Sequence, residues 1–294
     1  MFTIENVKEL REITGAGILD CKNALQETDG NIDKAVEILR EKGIAKVAKK
    51  ATRIAAEGAV GAYVDGKIGA MVEVNCESDF VSKGEKFHEI VDTLAKTIVK
   101  HQPIDVEALN SCDVDGKTVS EYMADRTMVI GEKLSIRRFE IYKTEGKLET
   151  YIHLGGKVGV MVEANPFVSG EDILHDVALQ IAATKPSYLN RDEVPHDVIE
   201  REKEILLAQM QNDEKNSKKP KEILEKIVMG KVGKYYTENC LLDQLYVKDD
   251  SKTISEVIGD KFKVVKFVRY EMGEGLEKKN ENFADEVAKM GKKD

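Results

Sequence analysis

The string Gly61 to Lys67, GAYVDGK, has the spacing of a phosphate-binding loop. That loop needs Ser or Thr next to hold magnesium and a helix N-terminus to receive phosphate. Residue 68 is isoleucine instead, and the flanking pattern reads strand, turn, strand. His88-Glu89 followed by Asp92 is one residue from the HExxH zinc signature, yet aspartate replaces the second imidazole and no later ligand completes a shell. Gly15-Ala16-Gly17 lies between helical patterns, not after a strand, so no dinucleotide fingerprint follows. The five histidines, His88, His101, His153, His175 and His196, stand in separate segments with no serine or cysteine in a nucleophile-like setting. Cys21, Cys76, Cys112 and Cys240 share no CxxC spacing and read as reduced thiols. No catalytic residue, metal site or cofactor is therefore expected. What remains is binding chemistry at Cys76-Glu77-Ser78-Asp79-Phe80-Val81, where an aromatic sits beside a carboxylate between a strand pattern and an amphipathic helix. Phe80 is either a buried hinge or a projecting wedge there, and residue type alone favours the buried hinge.

That loop interrupts a duplication. Residues 66 to 75, GKIGAMVEVN, and 156 to 165, GKVGVMVEAN, are identical at seven of ten positions. After the shared asparagine the first copy runs Cys76 to Ser82, whereas the second passes directly through Pro166-Phe167-Val168-Ser169, three residues shorter and without the aspartate. The twin keeps an aromatic and drops the acid, so Asp79 is the residue the scaffold does not need.

At 294 residues, with 41% hydrophobic and 34% charged side chains, the chain has the composition of a soluble protein of two or three modest domains. No apolar run approaches the roughly 20 residues of a membrane span, and the N-terminus lacks a signal-peptide core, so a cytoplasmic location away from membranes is expected. A net charge of −9 and a pI near 5.3 argue against direct nucleic-acid binding. Arg40, Lys42, Lys46, Lys49, Lys50 and Arg53 form a local basic stretch that is either a phosphate-contacting patch or the solvated face of a linker helix. The overall charge and the lack of interleaved aromatics favour the solvated face.

Periodicity supplies the elements. Three short helical runs, carrying Val7, Leu10 and Ile13, then Ile18, Cys21, Ala24 and Leu25, then Ile32, Ala35, Val36 and Leu39, make a bundle with a thin core over 1 to about 50. From 54 the period becomes two: strands at 59–64 and 67–74 flank Asp65-Gly66, a type I′ hairpin dipeptide. A helix with Phe87, Ile90, Val91, Leu94, Ile98 and Val99 on one face follows, then a helical stretch near 118–130 and a closing strand at 134–142. The second copy repeats strand, strand and helix, but its closing strand, 260–270, comes much later. The intervening residues 190 to 250 read as a helical hairpin with seven-residue recurrences of Val198 with Ile205 and Ile199 with Leu206. Its tip is NDEKNSKK, and Pro220 opens a second arm carrying Ile223, Leu224, Ile227, Val228 and Tyr235. It is either a decoration or a dimer or partner contact. Phe283, Val287 and Met290 align in a short amphipathic tail.

These strings match a known family. TGAGILDCKNAL at 14–25, VNCESDFV at 74–81, IGEKLSIRR at 130–138, YIHLGGKVGV at 151–160 and GEGLEKK at 273–279 occur in the order found in bacterial elongation factor Ts, which the chain resembles over essentially its whole length. Ser78 stands where that family's pattern has threonine, keeping a hydroxyl that can cap the next helix. The resemblance implies an α+β fold. Its parts would be a three-helix UBA-like N-terminal domain with basic linker (1–53), duplicated αβ core subdomains with antiparallel strands (54–144; 145–189 with 251–272), an inserted coiled-coil arm (190–250) and a short C-terminal helical module (273–294). It further implies a non-enzymatic guanine-nucleotide exchange factor for the GTPase EF-Tu in its GDP-bound form. Ser78, Asp79, Phe80 and Val81 would disturb magnesium and GDP, while Ile18, Leu19, Ile130, Gly131 and His153 would make other contacts, with room for a homodimer in a 2:2 complex. The alternative is a non-exchange adaptor that binds a partner through its N-terminal helices.

Overall fold

Two strands joined by one Asp-Gly turn begin the first sheet of the protein, and the period of two expected there gives way to nearly continuous burial along the second. The structure is a computed structural model that describes residues 2–14, 16–50, 52–166, 172–212 and 219–276, and only the backbone of 43–49 and 221. Lys46 and Lys49 as side chains, Phe167, most of the NDEKNSKK tip and the tail with Phe283, Val287 and Met290 lie outside the described residues. The fold is α+β, with helices packed on antiparallel strands.

At the N-terminus, α1 (Ile4–Thr14), α2 (Ile18–Glu27) and α3 (Ile32–Lys50) bury Leu10, Cys21, Ala24, Leu25, Ala35 and Leu39 among themselves. The turn before α3 sets Asp29 and Gly30 at positive φ, and Asn31 Oδ1 accepts from Lys34 N at 3.0 Å to cap the helix.

The strand pair β1 (Glu57–Asp65) and β2 (Ile68–Cys76) leads through α4 (Asp79–Ser82) to α5 (Glu85–His101) and α6 (Val106–Asn110). The ribbon β3 (Asp113–Val114) and β4 (Lys117–Thr118) precedes α7 (Val119–Ile130), which opens on a reciprocal cap between Thr118 and Glu121. β5 (Ser135–Lys143) then closes a sheet of order β1-β2-β5. The second half repeats the plan with β6 (Lys147–His153), β7 (Val158–Asn165) and α8 (Asp172–Thr184). After α9 (His196–Gln211) and α10 (Lys221–Asn239) come β8 (Leu245–Tyr246), β9 (Asp249–Thr253), α11 (Ile254–Ile258) and β10 (Lys263–Glu271), giving the order β10-β7-β6.

The repeated segment is thus the central strand of each sheet. One face of β2, with Ala70, Val72, Val74 and Cys76, meets Phe87, Ile90, Val91 and Leu94 of α5; Val160, Val162 and Ala164 of β7 meet α8 likewise. The opposite faces meet each other through Val60, Met71, Tyr142, Leu148, Met161 and Tyr270. Burial on both sides explains why the central strands read as nearly continuous apolar runs. Gly156, at φ +91°, lets the β6–β7 hairpin reach β1: its carbonyl accepts from Val60 N at 2.8 Å, and a Cβ would meet Val60 O at 2.9 Å.

Between the sheets lies a fully buried charge. Glu73 is fully buried and accepts from Arg137 Nη1 at 2.8 Å, Arg138 Nε at 2.7 Å and Gly273 N at 2.8 Å. Burial alone would raise its carboxyl, but the Gly273 amide and the two guanidiniums outweigh it and hold it below the ordinary 4.5. Because the folded value is depressed, this stability is present above pH 4.5 and is lost as pH falls below it. Glu73→Ala strands two guanidiniums and is expected to cost about 3 kcal/mol in a urea titration at pH 7, with the gap to wild type narrowing toward pH 3.5.

The hairpin α9–α10 buries Ile199, Leu206 and Met210 against Leu224, Val228 and Val232, while Ile205 and Ile223 stay largely exposed. Of the two seven-residue recurrences, only 199/206 forms the fully buried seam. Within the stretch read as an insertion to residue 250, the helical hairpin ends with α10 at Asn239, and Leu241 beyond it belongs to the core beneath the second sheet. At its described ends the basic stretch before β1 stays largely exposed and pairs with neighbouring acids: Arg40 with Glu121, Lys42 with Glu27 at 2.5 Å and Arg53 with Glu77 at 3.1 Å, while Lys50 donates to the Gly131 carbonyl.

Candidate functional site

The candidate site begins where β2 runs out of sheet. Cys76 points into the first core and donates its thiol to Ser78 O at 3.2 Å. Burial first, then the nearby Glu132 carboxylate, pushes the thiol up to about 12, so it stays protonated and acts as an anchor. Ser78 is extended at φ −124° and caps α4: its Oγ accepts from Val81 N at 3.3 Å. Its hydroxyl proton goes to Glu132 Oε1 at 2.6 Å. The capping role expected of this hydroxyl is what the geometry contains.

The short helix has two faces. Val81 packs against the first core and Ser82 is buried, its Oγ donating to Asp79 O at 2.9 Å. Phe80 is on the other side and is 85% exposed. The buried-hinge reading that residue type favours is therefore wrong: Phe87, 1% exposed, fills this core and Phe80 projects. Asp79 is exposed beside it and accepts from Lys83 Nζ at 2.6 Å, and chiefly that ammonium holds its carboxyl below the usual carboxylate value.

Two neighbouring segments frame the loop. The α7–β5 junction carries Ile130, half-buried on the first core, and Gly131, which ends α7 at φ +85° with its amide on Thr127 O at 2.9 Å. The next residue, Glu132, accepts from Glu77 N at 3.1 Å and Ser78 N at 3.0 Å, so the junction and the loop are tied together. On the other side stands the β6–β7 hairpin, where Lys157 pairs with Glu57 at 2.8 Å and helps to hold Asp79 low. This hairpin carries His153, exposed, with Nδ1 at 2.8 Å from the Tyr151 hydroxyl, and Leu154, 73% exposed at φ +48°. Tyr151 also meets the His175 ring edge-on at 5.7 Å, so two histidines far apart in sequence share one tyrosine. Ile18 and Leu19 are not in this cluster; they stand largely exposed on the first turn of α2 in the N-terminal unit.

Sequence reasoning missed Glu132, Lys83 and Leu154. Lys83 carries an i,i+4 signal from Asp79; Glu132 is 54 residues from Ser78 and carries none. The phosphate-loop-like string lies on β1 and the turn with Gly66 at φ +58°, and β2 follows it, with no helix N-terminus to meet a phosphate. Among the described residues no group of three His, Cys, Asp or Glu could hold a metal ion, and no helix is long and apolar enough to cross a membrane. The arrangement exposes an aromatic and an acid side by side on a loop held by hydrogen bonds.

Comparison with known proteins agrees in outline. Residues 77–274 match the family model described as Elongation factor TS. Over its whole length the chain is 48% identical to "Elongation factor Ts" of Clostridium perfringens (strain SM101 / Type A), which it covers completely. It is 47% identical to the proteins of that name from Clostridium kluyveri (strain ATCC 8527) and Clostridium botulinum (strain Alaska E43 / Type E3), with 99% of each chain covered.

Proposed function

The chain belongs to the elongation factor Ts family, and from that membership we propose that it is a translation elongation factor that exchanges guanine nucleotide on EF-Tu in the cytoplasm, without bond chemistry of its own. The observation that carries this reading is Phe80, 85% exposed on a loop fixed at both ends. Ser78, Asp79, Phe80 and Val81 form the element that enters the nucleotide-binding domain of the GTPase and disturbs its magnesium and phosphate contacts. Ile130, Gly131 and His153 extend the contact beside the loop, and Ile18 and Leu19 dock the UBA-like N-terminal domain. The same reading takes α9 and α10 as the coiled-coil arm, residues 273–294 as a C-terminal module, and allows a homodimer in a 2:2 complex.

Exchange by this route requires mutual antagonism: if the protein weakens GDP on EF-Tu, GDP weakens the protein by the same factor. Titration calorimetry should show binding to nucleotide-free EF-Tu at least tenfold tighter, about 1.4 kcal/mol, than to EF-Tu with GDP and magnesium. Equal binding in both states would instead favour the adaptor that uses its N-terminal helices. Asp79→Ala should slow exchange by about fivefold at most, the scale of one exposed charge pair, as read by release of fluorescent GDP.

A further inference from the structure

We propose that Glu132 is a positioning residue for exchange: its carboxylate holds the loop so that Phe80 is presented already ordered to the GTPase. This inference rests on the exchange reading above and deepens it.

Both oxygens of Glu132 are engaged by the loop. Oε2 accepts the Glu77 amide at 3.1 Å and the Ser78 amide at 3.0 Å, and Oε1 accepts the Ser78 hydroxyl at 2.6 Å. The bond is returned in the opposite direction, since Glu77 Oε1 accepts the Lys133 amide at 2.7 Å while Arg53 Nη1 closes on the same carboxylate at 3.1 Å. Each carboxylate thus takes the backbone amide that follows the other. Two consecutive loop amides on one anionic oxygen fix the direction in which the chain leaves β2, and the shared Ser78 hydroxyl couples that exit to the cap of α4. Phe80 itself touches no core that could orient it, so the clasp and the Val81 and Ser82 contacts are what aim it.

The duplication supports a role beyond folding. At the position aligned with Glu132 the second copy has Asp260, one methylene shorter and exposed, and its strand exit lacks counterparts of Glu77 and Ser78. The second sheet forms with the same strand order nonetheless. The sheet does not need the clasp, and the segment that has it carries the exposed Phe80. Ordering a loop before binding removes a cost that would otherwise fall on the distorted complex, so its loss should appear in the maximal rate of exchange.

The test is a double-mutant cycle on the full chain, reading fluorescent GDP release from EF-Tu at saturating factor. Glu132→Ala is expected to lower the maximal rate about tenfold, the scale of losing one charge-assisted clasp, and Glu132→Gln, which keeps an oxygen acceptor, should recover part of it. In a Phe80→Ala background Glu132→Ala should add little, because a group that acts by aiming Phe80 has nothing left to aim. Circular dichroism should show both singles folded. If Glu132→Ala leaves the rate unchanged, or if its effect multiplies fully with that of Phe80→Ala, the positioning role is overturned while exchange stands. If wild-type protein does not accelerate release at all, the exchange reading fails first.

Discussion

Excising Glu77, Ser78 and Asp79, so that Cys76 runs into Phe80 as Pro166 runs into Phe167 in the second copy, is expected to reduce exchange to the rate EF-Tu shows alone. The deletion removes the acid, the cap of α4 and both partners of Glu132 in one step. Phe80 survives in sequence but loses its mount. The fold should survive too, since the core under β2 is made by Ala70, Val72, Val74 and Cys76 with α5, all of which remain. Far-UV circular dichroism and a single cooperative unfolding transition would check that. A deletion that retains more activity than Phe80→Ala would show that the loop's extra length has no part in exchange.

Phe80→Ala should slow GDP release by about ten- to a hundredfold. The side chain is 85% exposed in the free protein, so its apolar area is available to be buried in the complex. Full burial of a phenylalanine is worth roughly 1.5–3 kcal/mol, and each ~1.4 kcal/mol of coupling against GDP is a factor of ten. For the same reason the substitution should change folding stability by no more than about 0.5 kcal/mol, the range of a surface change. Phe87→Ala is the contrast: with the ring 1% exposed in the first core, it should cost about 3–5 kcal/mol in stability. Two phenylalanines seven residues apart would then separate cleanly, one affecting exchange and the other the fold.

The sheets were legible because their determinants are local. The Asp65-Gly66 turn and the repeated GKxGxMVExN segment mark two strand pairs, and the repeated segments are the central strands of both sheets. The orientation of Phe80 was not legible. On a four-residue helix, which side faces the core depends on how Val81 and Ser82 pack, and that depends on α5 and on Glu132, distant in sequence. The same limit applies to the arm, where Val198 with Ile205 and Ile199 with Leu206 have identical spacing and only the position of α10 decides which pair is buried. It applies also to His153 and His175, which Tyr151 brings together from a strand end and a helix. Long-range carboxylates leave the least trace. Glu73 reads as one more acid in a strand, yet it joins β5 to the turn after β10 through three hydrogen bonds.

The central claim is that the first copy's loop drives nucleotide release, and stopped-flow release of fluorescent GDP from EF-Tu against rising concentrations of this protein measures it most directly. The expected curve rises with concentration and saturates far above the spontaneous rate, and the curve for the Glu77–Asp79 excision stays on the spontaneous baseline. A wild-type rate that never leaves the baseline, although the two proteins form a complex, would contradict the account.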